Sequence, residues 1–241
     1  MITNILFSSI YDATQKILLL CAFVFSALLA ISVHETSHGF AAYKMGDMTA
    51  KIQGRLTLNP VAHFDPFGFL MFILVGIGFA KPVPINPYNF KNLRKGLFWV
   101  SIAGVLSNLA QALIAFGMLV GFGYLYFTAV SAVRAVKLLL FFFLYFSLYA
   151  MLINVALIAF NLLPIYPLDG FHVVESLTPY NNGYVRFMRR YGQYILIGIV
   201  AIGFLCERLG FPQGDVFGMY LSWIQNGILG LFYKIIGGLL G

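Results

Sequence analysis

The residues whose types and spacing can do chemistry begin with His34-Glu35-Thr36-Ser37-His38, set at the end of a long apolar run. On an α-helix, positions i and i+4 lie on one face about one turn apart. His34 and His38 can therefore aim two imidazoles at one point. That is the spacing with which a helix grips zinc, the intervening glutamate acting as general base of a hydrolase. Glu35 sits roughly 100° round the helix from His34, so its carboxylate can flank a metal without ligating it. In a soluble helix the same pattern also arises as a solvated face. Inside an apolar span that explanation is unavailable, because ionisable groups are costly in lipid and mark functional sites by default. The competing reading is a buried polar cluster that ties helices together.

Catalytic zinc usually takes three protein ligands, so a third donor is needed. Asp169 is the candidate. It follows Asn161-Leu-Leu-Pro164-Ile-Tyr-Pro167-Leu, where two prolines break an apolar stretch and can return a carboxylate to membrane depth. An aspartate in such a place otherwise serves as a cap or turn residue. Asn161, one turn before Pro164, lies on the same approach. His172 and Glu175 come next, and a surface helix after the turn accounts for them more simply than ligation does. His63 and Asp65, near Asn59-Pro60 and Asp65-Pro66, read equally well as functional groups and as turn residues bonded to local backbone. Gly104 and Asn108 share a helix face; tight packing is the simpler explanation, with Asn108 also able to hydrogen-bond into a site.

The elements that must position these groups follow from composition. The 241 residues are 61% hydrophobic and 10% charged, with a mean hydropathy of +0.88, against about 25% charged in soluble domains. The chain reads as an all-α polytopic membrane protein, one membrane domain over 1–241 with a core about 17–177 and C-terminal helices about 187–239. Spans are expected at 17–43, 97–127, 138–163, 191–209 and 215–239. Residues 67–80 are too short for a span of about 20 residues and read as re-entrant, giving five to six transmembrane helices in all. Gly46 suits the C-terminal cap of the first. Residues 49–66 are expected to hold short extended pieces. Residues 81–95, with Pro82, Pro84 and Pro87, are expected to be extended on the cytoplasmic side and open to strand addition by a substrate.

The net charge is +7. The basic residues fall in short loops, which favours membrane orientation over nucleic acid. Loops 44–66, 81–96 and 178–190 hold Lys44, Lys51, Arg55, Lys81, Lys91, Arg94, Lys95, Arg186, Arg189 and Arg190. That is 10 of the 15 basic residues, and it puts the HExxH end and Asp169 on one, cytoplasmic side. Cys21 and Cys206 lie in apolar runs and make neither a disulfide framework nor a CxxC site. The N-terminal stretch, interrupted by Asp12 and lacking a basic lead, is expected to be retained as the first span.

With these residues in view, the chain resembles the site-2 protease family of intramembrane zinc metalloproteases. His34-Glu35-x-x-His38 and Asn161-x-x-Pro164-x-x-Pro167-Leu168-Asp169-Gly170 carry the likeness. It extends through Gly54-Arg55, Asn59-Pro60, His63-x-Asp65-Pro66-x-Gly68 and Lys81-Pro82-Val83-Pro84-x-Asn86-Pro87, as in short members without a PDZ domain. The resemblance implies His34, His38 and Asp169 as ligands of Zn2+, Glu35 as catalytic base, and Asn161 at the substrate or developing oxyanion. It also implies a single-span transmembrane substrate, a lipid bilayer as partner, and a bacterial or archaeal inner membrane as location. Phe171 stands where many members have a second glycine and is expected to narrow the site; Val105 replaces a frequent proline. A metal-binding transporter, a non-catalytic membrane scaffold and a prenyl-protein type zinc protease are the alternatives. The first has no need of a base within HExxH, the second none of an intact ligand set. The third would place its downstream carboxylate in a different context.

Overall fold

The computed structural model describes residues 10–68, 80–179 and 182–240. Its core is three long helices, α1 (Ala13–Met45), α4 (Leu93–Thr128) and α5 (Arg134–Asn161), each packed on the other two. At 1.5 Å per residue, helices of 33, 36 and 28 residues run about 50, 54 and 42 Å, well beyond a hydrocarbon core of about 30 Å. Among the described residues these three are long and apolar enough to cross a membrane.

Local chemistry sets their ends. Asp12 caps α1 in a reciprocal box, accepting from Gln15 N–H at 2.8 Å while the Gln15 side chain accepts from Asp12 N–H at 3.1 Å. Gly46, at φ 111°, closes the helix in the left-handed conformation that only glycine takes freely, as the sequence suggests. Asn92 caps α4 through Lys95 N–H. Close approach comes from small buried side chains, Ala22, Ala27 and Ala30 on α1 with Ala112 and Ala115 on α4. Ser26 Oγ adds an interhelical bond to the Phe146 carbonyl at 2.9 Å. Phe25, Leu29, Phe40, Leu113 and Ile114 point outward and stay exposed, the surface a bundle shows to lipid rather than to water.

The remaining helices are α2 (Thr49–Ile52), α3 (Pro60–His63), α6 (Asp169–Leu177), α7 (Gly183–Arg208) and α8 (Val216–Leu240). α6 packs on α4, and α8 on α5 and α7. The extended pieces expected across 49–66 do not form: two single-turn helices stand there. Asp47 Oδ1, one residue before the N-cap, accepts from Thr49 N–H, the first amide of α2, at 3.0 Å. Asn59 caps α3 through Val61 N–H at 3.0 Å, with Pro60 preorganised at its first position. These local bonds outweigh the weak alternation of Ile52, Leu56 and Leu58. The re-entrant segment expected at 67–80 lies, apart from residues 67, 68 and 80, outside the described residues.

Residues 81–86 carry no regular structure and are pinned on both sides. Lys81 N–H donates to the His63 carbonyl at 3.0 Å, and Arg55 Nη2 donates to the Lys81 and Pro82 carbonyls at 2.8 and 3.1 Å. Asn86 N–H donates to Asp47 Oδ2 at 2.7 Å. A single 3-10 turn, Pro87–Asn89, leads on toward α4.

Candidate metal centre

Three elements meet at the site. His34 and His38, 7% and 8% exposed, sit on one face of α1. Asp169 is the first residue of α6, delivered by the turn that ends α5 at Asn161. Gly170 lets that turn close, since a Cβ there would collide with the carbonyl oxygens of Leu162 and Leu163. Gly104 of α4 closes the third side: a Cβ on it would lie 2.5 Å from His38 Cε1 and 2.6 Å from His34 Cε1.

His34 Nε2 and His38 Nε2 are 2.9 Å apart, and Asp169 Oδ2 lies 3.5 and 3.4 Å from them. All three ligand atoms fall within 4.8 Å of one another. His38 Nδ1 lies 2.7 Å from the Val100 carbonyl. A carbonyl only accepts, so that ring nitrogen carries the proton and Nε2 presents its lone pair. Asp169 Oδ2 is buried and accepts no hydrogen bond among the described residues. Two imidazole nitrogens and a carboxylate oxygen thus converge on one point, where a cation would take a lone pair from each. The N, N, O donor set and the outer carbonyl that orients one ligand fit zinc.

Glu35 stands beside this group, its Oε2 accepting from Val83 N–H at 2.9 Å. Within Pro82-Val83-Pro84, Val83 supplies the sole backbone donor, because proline has none. A cleft of about 390 Å³ opens here, lined by His34, Glu35, His38, Asn161, Asp169 and His172, with Val83 and Ser101 among its other walls.

Asn161 therefore reaches the cleft; it gives one amide hydrogen to the Leu157 carbonyl at 3.0 Å, which leaves the second hydrogen and its oxygen. Asn108 does not reach it. It is wholly buried one turn beyond Gly104 and meets the Gln111 side chain at 3.5 Å. Phe171 does not narrow the cleft either: it is fully buried behind it, edge-on to Tyr166 at 5.5 Å. His172 and Glu175 are half-buried rather than on an open surface face. His172 lines the cleft and contacts Glu175 Oε2 at 3.1 Å, and Glu175 in turn holds Arg189. The α5–α6 turn rolls that face of α6 inward. His63 is 2% exposed behind α1, its Nε2 2.7 Å from the Thr57 carbonyl, and Asp65 accepts from Gly68 N–H, so both serve local turns. Gly104, the Val100 carbonyl and the Val83 amide were not legible as site groups. The spacing from Gly104 to Asn108 was the one available hint.

A helical membrane bundle that aims two histidines of an HExxH helix and a distant aspartate at one point defines the class of membrane-embedded zinc metalloproteases. Within that class the chain belongs to peptidase family M50, the site-2 proteases, whose pattern matches residues 22–203. It is similar to "Putative zinc metalloprotease YwhC" of Bacillus subtilis, 43% identical over 156 residues, covering 65% of this chain and 68% of that protein. It is 28% identical over 178 residues to "Putative zinc metalloprotease Rip2" of Mycolicibacterium smegmatis, covering 70% of this chain and 62% of that one. With Rip2 of Mycobacterium tuberculosis it shares 30% identity over 156 residues and spans 54% of that protein's length. No solved structure matches the chain.

Proposed function

We propose that this metalloprotease hydrolyses peptide bonds of single-span transmembrane proteins within the membrane, with His34, His38 and Asp169 as zinc ligands and Glu35 as general base. The observation that carries the reading is the convergence of the three ligand atoms within 4.8 Å in a cleft that Glu35 also lines. Zinc held there supplies Lewis acidity, bringing the pKa of water to about 7 and polarising a carbonyl.

The chain's own groups do the rest. His38, oriented through Val100, keeps Nε2 unprotonated. Val83 N–H occupies Glu35 Oε2, which leaves Oε1 to take a proton from the attacking water and return it to the leaving amine. Asn161 offers its remaining amide hydrogen and its oxygen to the substrate backbone. A helical substrate has its carbonyls tied up, so it must unwind before attack; the segment at 81–86, with its own backbone partly free, lies alongside to receive it.

In this reading the cleft opens near the cytoplasmic face of a bacterial or archaeal inner membrane. α7 and α8 add to the three spans to make five crossings.

Paired measurements test it: bound zinc, and cleavage of a model single-span substrate in liposomes, for wild type, Glu35→Gln and Asp169→Asn. Wild type should bind zinc and cleave. Glu35→Gln should hold zinc with turnover reduced at least about a hundredfold, and Asp169→Asn should lose zinc affinity. A wild-type protein that binds no zinc ends the proposal.

A further inference from the structure

Among the described residues, five ionisable side chains line the cleft. Hydrolysis as proposed engages four of them, His34, Glu35, His38 and Asp169, and leaves His172. It stands three residues after Asp169 on α6, a spacing that puts the two on one helix face. Phe171 and Tyr166 pack edge-on against its ring at 5.2 and 6.0 Å. Nδ1 lies 3.1 Å from Glu175 Oε2. A carboxylate only accepts, so Nδ1 carries the proton. Glu175, 11% exposed, is itself held, its Oε1 accepting from Arg189 Nε of α7 at 2.7 Å. That guanidinium balances the carboxylate, so the ring meets a neutral pair and not a bare anion. The polar atom left to the cleft is Nε2, an acceptor in the neutral ring. No hydrogen bond reaches it among the described residues.

We propose that His172 Nε2 accepts a hydrogen bond from a backbone N–H of the substrate polypeptide, with Glu175 and Arg189 as positioning residues behind it. The proposal rests on the protease reading of the cleft. A helical substrate that unwinds frees its N–H donors together with its carbonyls, and the donors need acceptors once water is excluded. Side-chain acceptors in the cleft are few. His34, His38 and Asp169 turn their lone pairs to the metal. Glu35 gives one oxygen to Val83 N–H and the other to water. Ser101 is 4% exposed in the wall. The Asn161 oxygen and His172 Nε2 remain. His172 is the more selective of the two, because its one proton is fixed on the far side of the ring and Nε2 offers only a lone pair.

The experiment uses full-length Glu35→Gln protein in phosphatidylcholine nanodiscs. The probe is a fluorescent single-span peptide, made as a series in which one backbone N–H at a time along the span is replaced by an ester oxygen. The ester also removes a helix bond from the free peptide, but equally for every protein, so it cancels when proteins are compared. At one position the ester should weaken binding roughly fivefold, the scale of one neutral hydrogen bond. His172→Phe should weaken the all-amide peptide by the same factor and be indifferent to that ester. His172→Asn keeps a donor for Glu175 but has no acceptor at the place of Nε2, and should behave as His172→Phe does. His172→Gln puts an amide oxygen near that place and should restore part of the ester effect. Bound zinc should match the parent protein in all three.

If no ester position depends on the side chain at 172, the proposal is overturned. It is overturned too if His172→Asn binds as the parent does, which reduces the Glu175 contact to a structural tie. Loss of zinc in His172→Phe overturns it by assigning the residue to the metal centre. The same peptides are then given to protein with Glu35 intact. Coupling in binding without any cleavage removes the protease reading and keeps His172 as a backbone acceptor; cleavage without coupling removes the His172 proposal alone.

Discussion

Gly104 decides how closely α4 may approach the two imidazoles. Its hydrogen stands where any side chain would press on His34 and His38 at about van der Waals overlap. Those rings are buried and cannot move aside, His38 being anchored to the Val100 carbonyl. Overpacking of this kind costs about 1–3 kcal/mol, and about 1.4 kcal/mol is tenfold in binding. Gly104→Ala should therefore weaken zinc affinity about tenfold or more, read by competition with a chromophoric chelator, with the helical content unchanged in far-ultraviolet circular dichroism. The candidate trio of His34, His38 and Asp169, which could hold a metal, is legible from residue types and spacing. Gly104 was visible only as a packing residue, because a glycine has no chemistry of its own and its role is the identity of what it touches.

At the scale of elements, the irregular segment 81–89 matters as much as the long helices. It brings Val83 N–H to Glu35, and Asp47 holds it there. Val83→Pro removes the one donor between two prolines. It should lower kcat about tenfold, as loss of an orienting bond to a charged group does, while bound zinc stays at the wild-type level by metal analysis.

Asp47 is completely buried, and both its oxygens accept: from Thr49 N–H and hydroxyl, from Asn86 N–H and from the Asn89 amide. Burial pushes its carboxyl up, but the hydrogen bonds from Thr49, Asn86 and Asn89 outweigh it and hold the pKa below the usual value. A depressed folded pKa means that the stability Asp47 contributes is present above about pH 3.9. It is lost as pH falls through the lower folded value. Asp47→Ala should lower Tm in detergent at pH 7, leaving buried donors unpaired at about 1–3 kcal/mol each. The gap between variant and wild type should close as the melts are repeated below pH 4. Such a staple is not readable from sequence, since its partners lie 39 and 42 residues away.

Across the whole molecule, the helix ends sort onto two sides. The C-terminal end of α1, the N-terminal end of α4 and the turn after α5 all meet at the cleft, so three alternating crossings leave residues 129–133 on the opposite face. In a background without Cys21 and Cys206, Lys91→Cys should react with an impermeant thiol reagent only from the cytoplasmic side of oriented vesicles, and Ala132→Cys only from the other. Gln213→Cys, between α7 and α8, discriminates the number of crossings. Labelling from the outer side fits two further spans, and labelling from the cytoplasmic side leaves α7 and α8 at the membrane surface.

Sequence by itself determined what depends on type and near spacing. The helical membrane class follows from composition, the two histidines one turn apart follow from the helical repeat, and the need for a third, distant ligand follows from zinc's usual ligand count. It also places ten of the fifteen basic residues in three short loops. Tertiary structure decided what depends on approach between segments far apart in the chain. It put Gly104 and the Val100 carbonyl against the imidazoles, set the Val83 amide on Glu35, and turned His172 inward while Asn108 stayed between the helices. It also set Arg189 of α7 on Glu175 and Glu175 on His172. The reason is physical: a ligand's identity is written in its side chain. Its distance, its proton and its neighbours are set by packing, which short-range pattern does not encode.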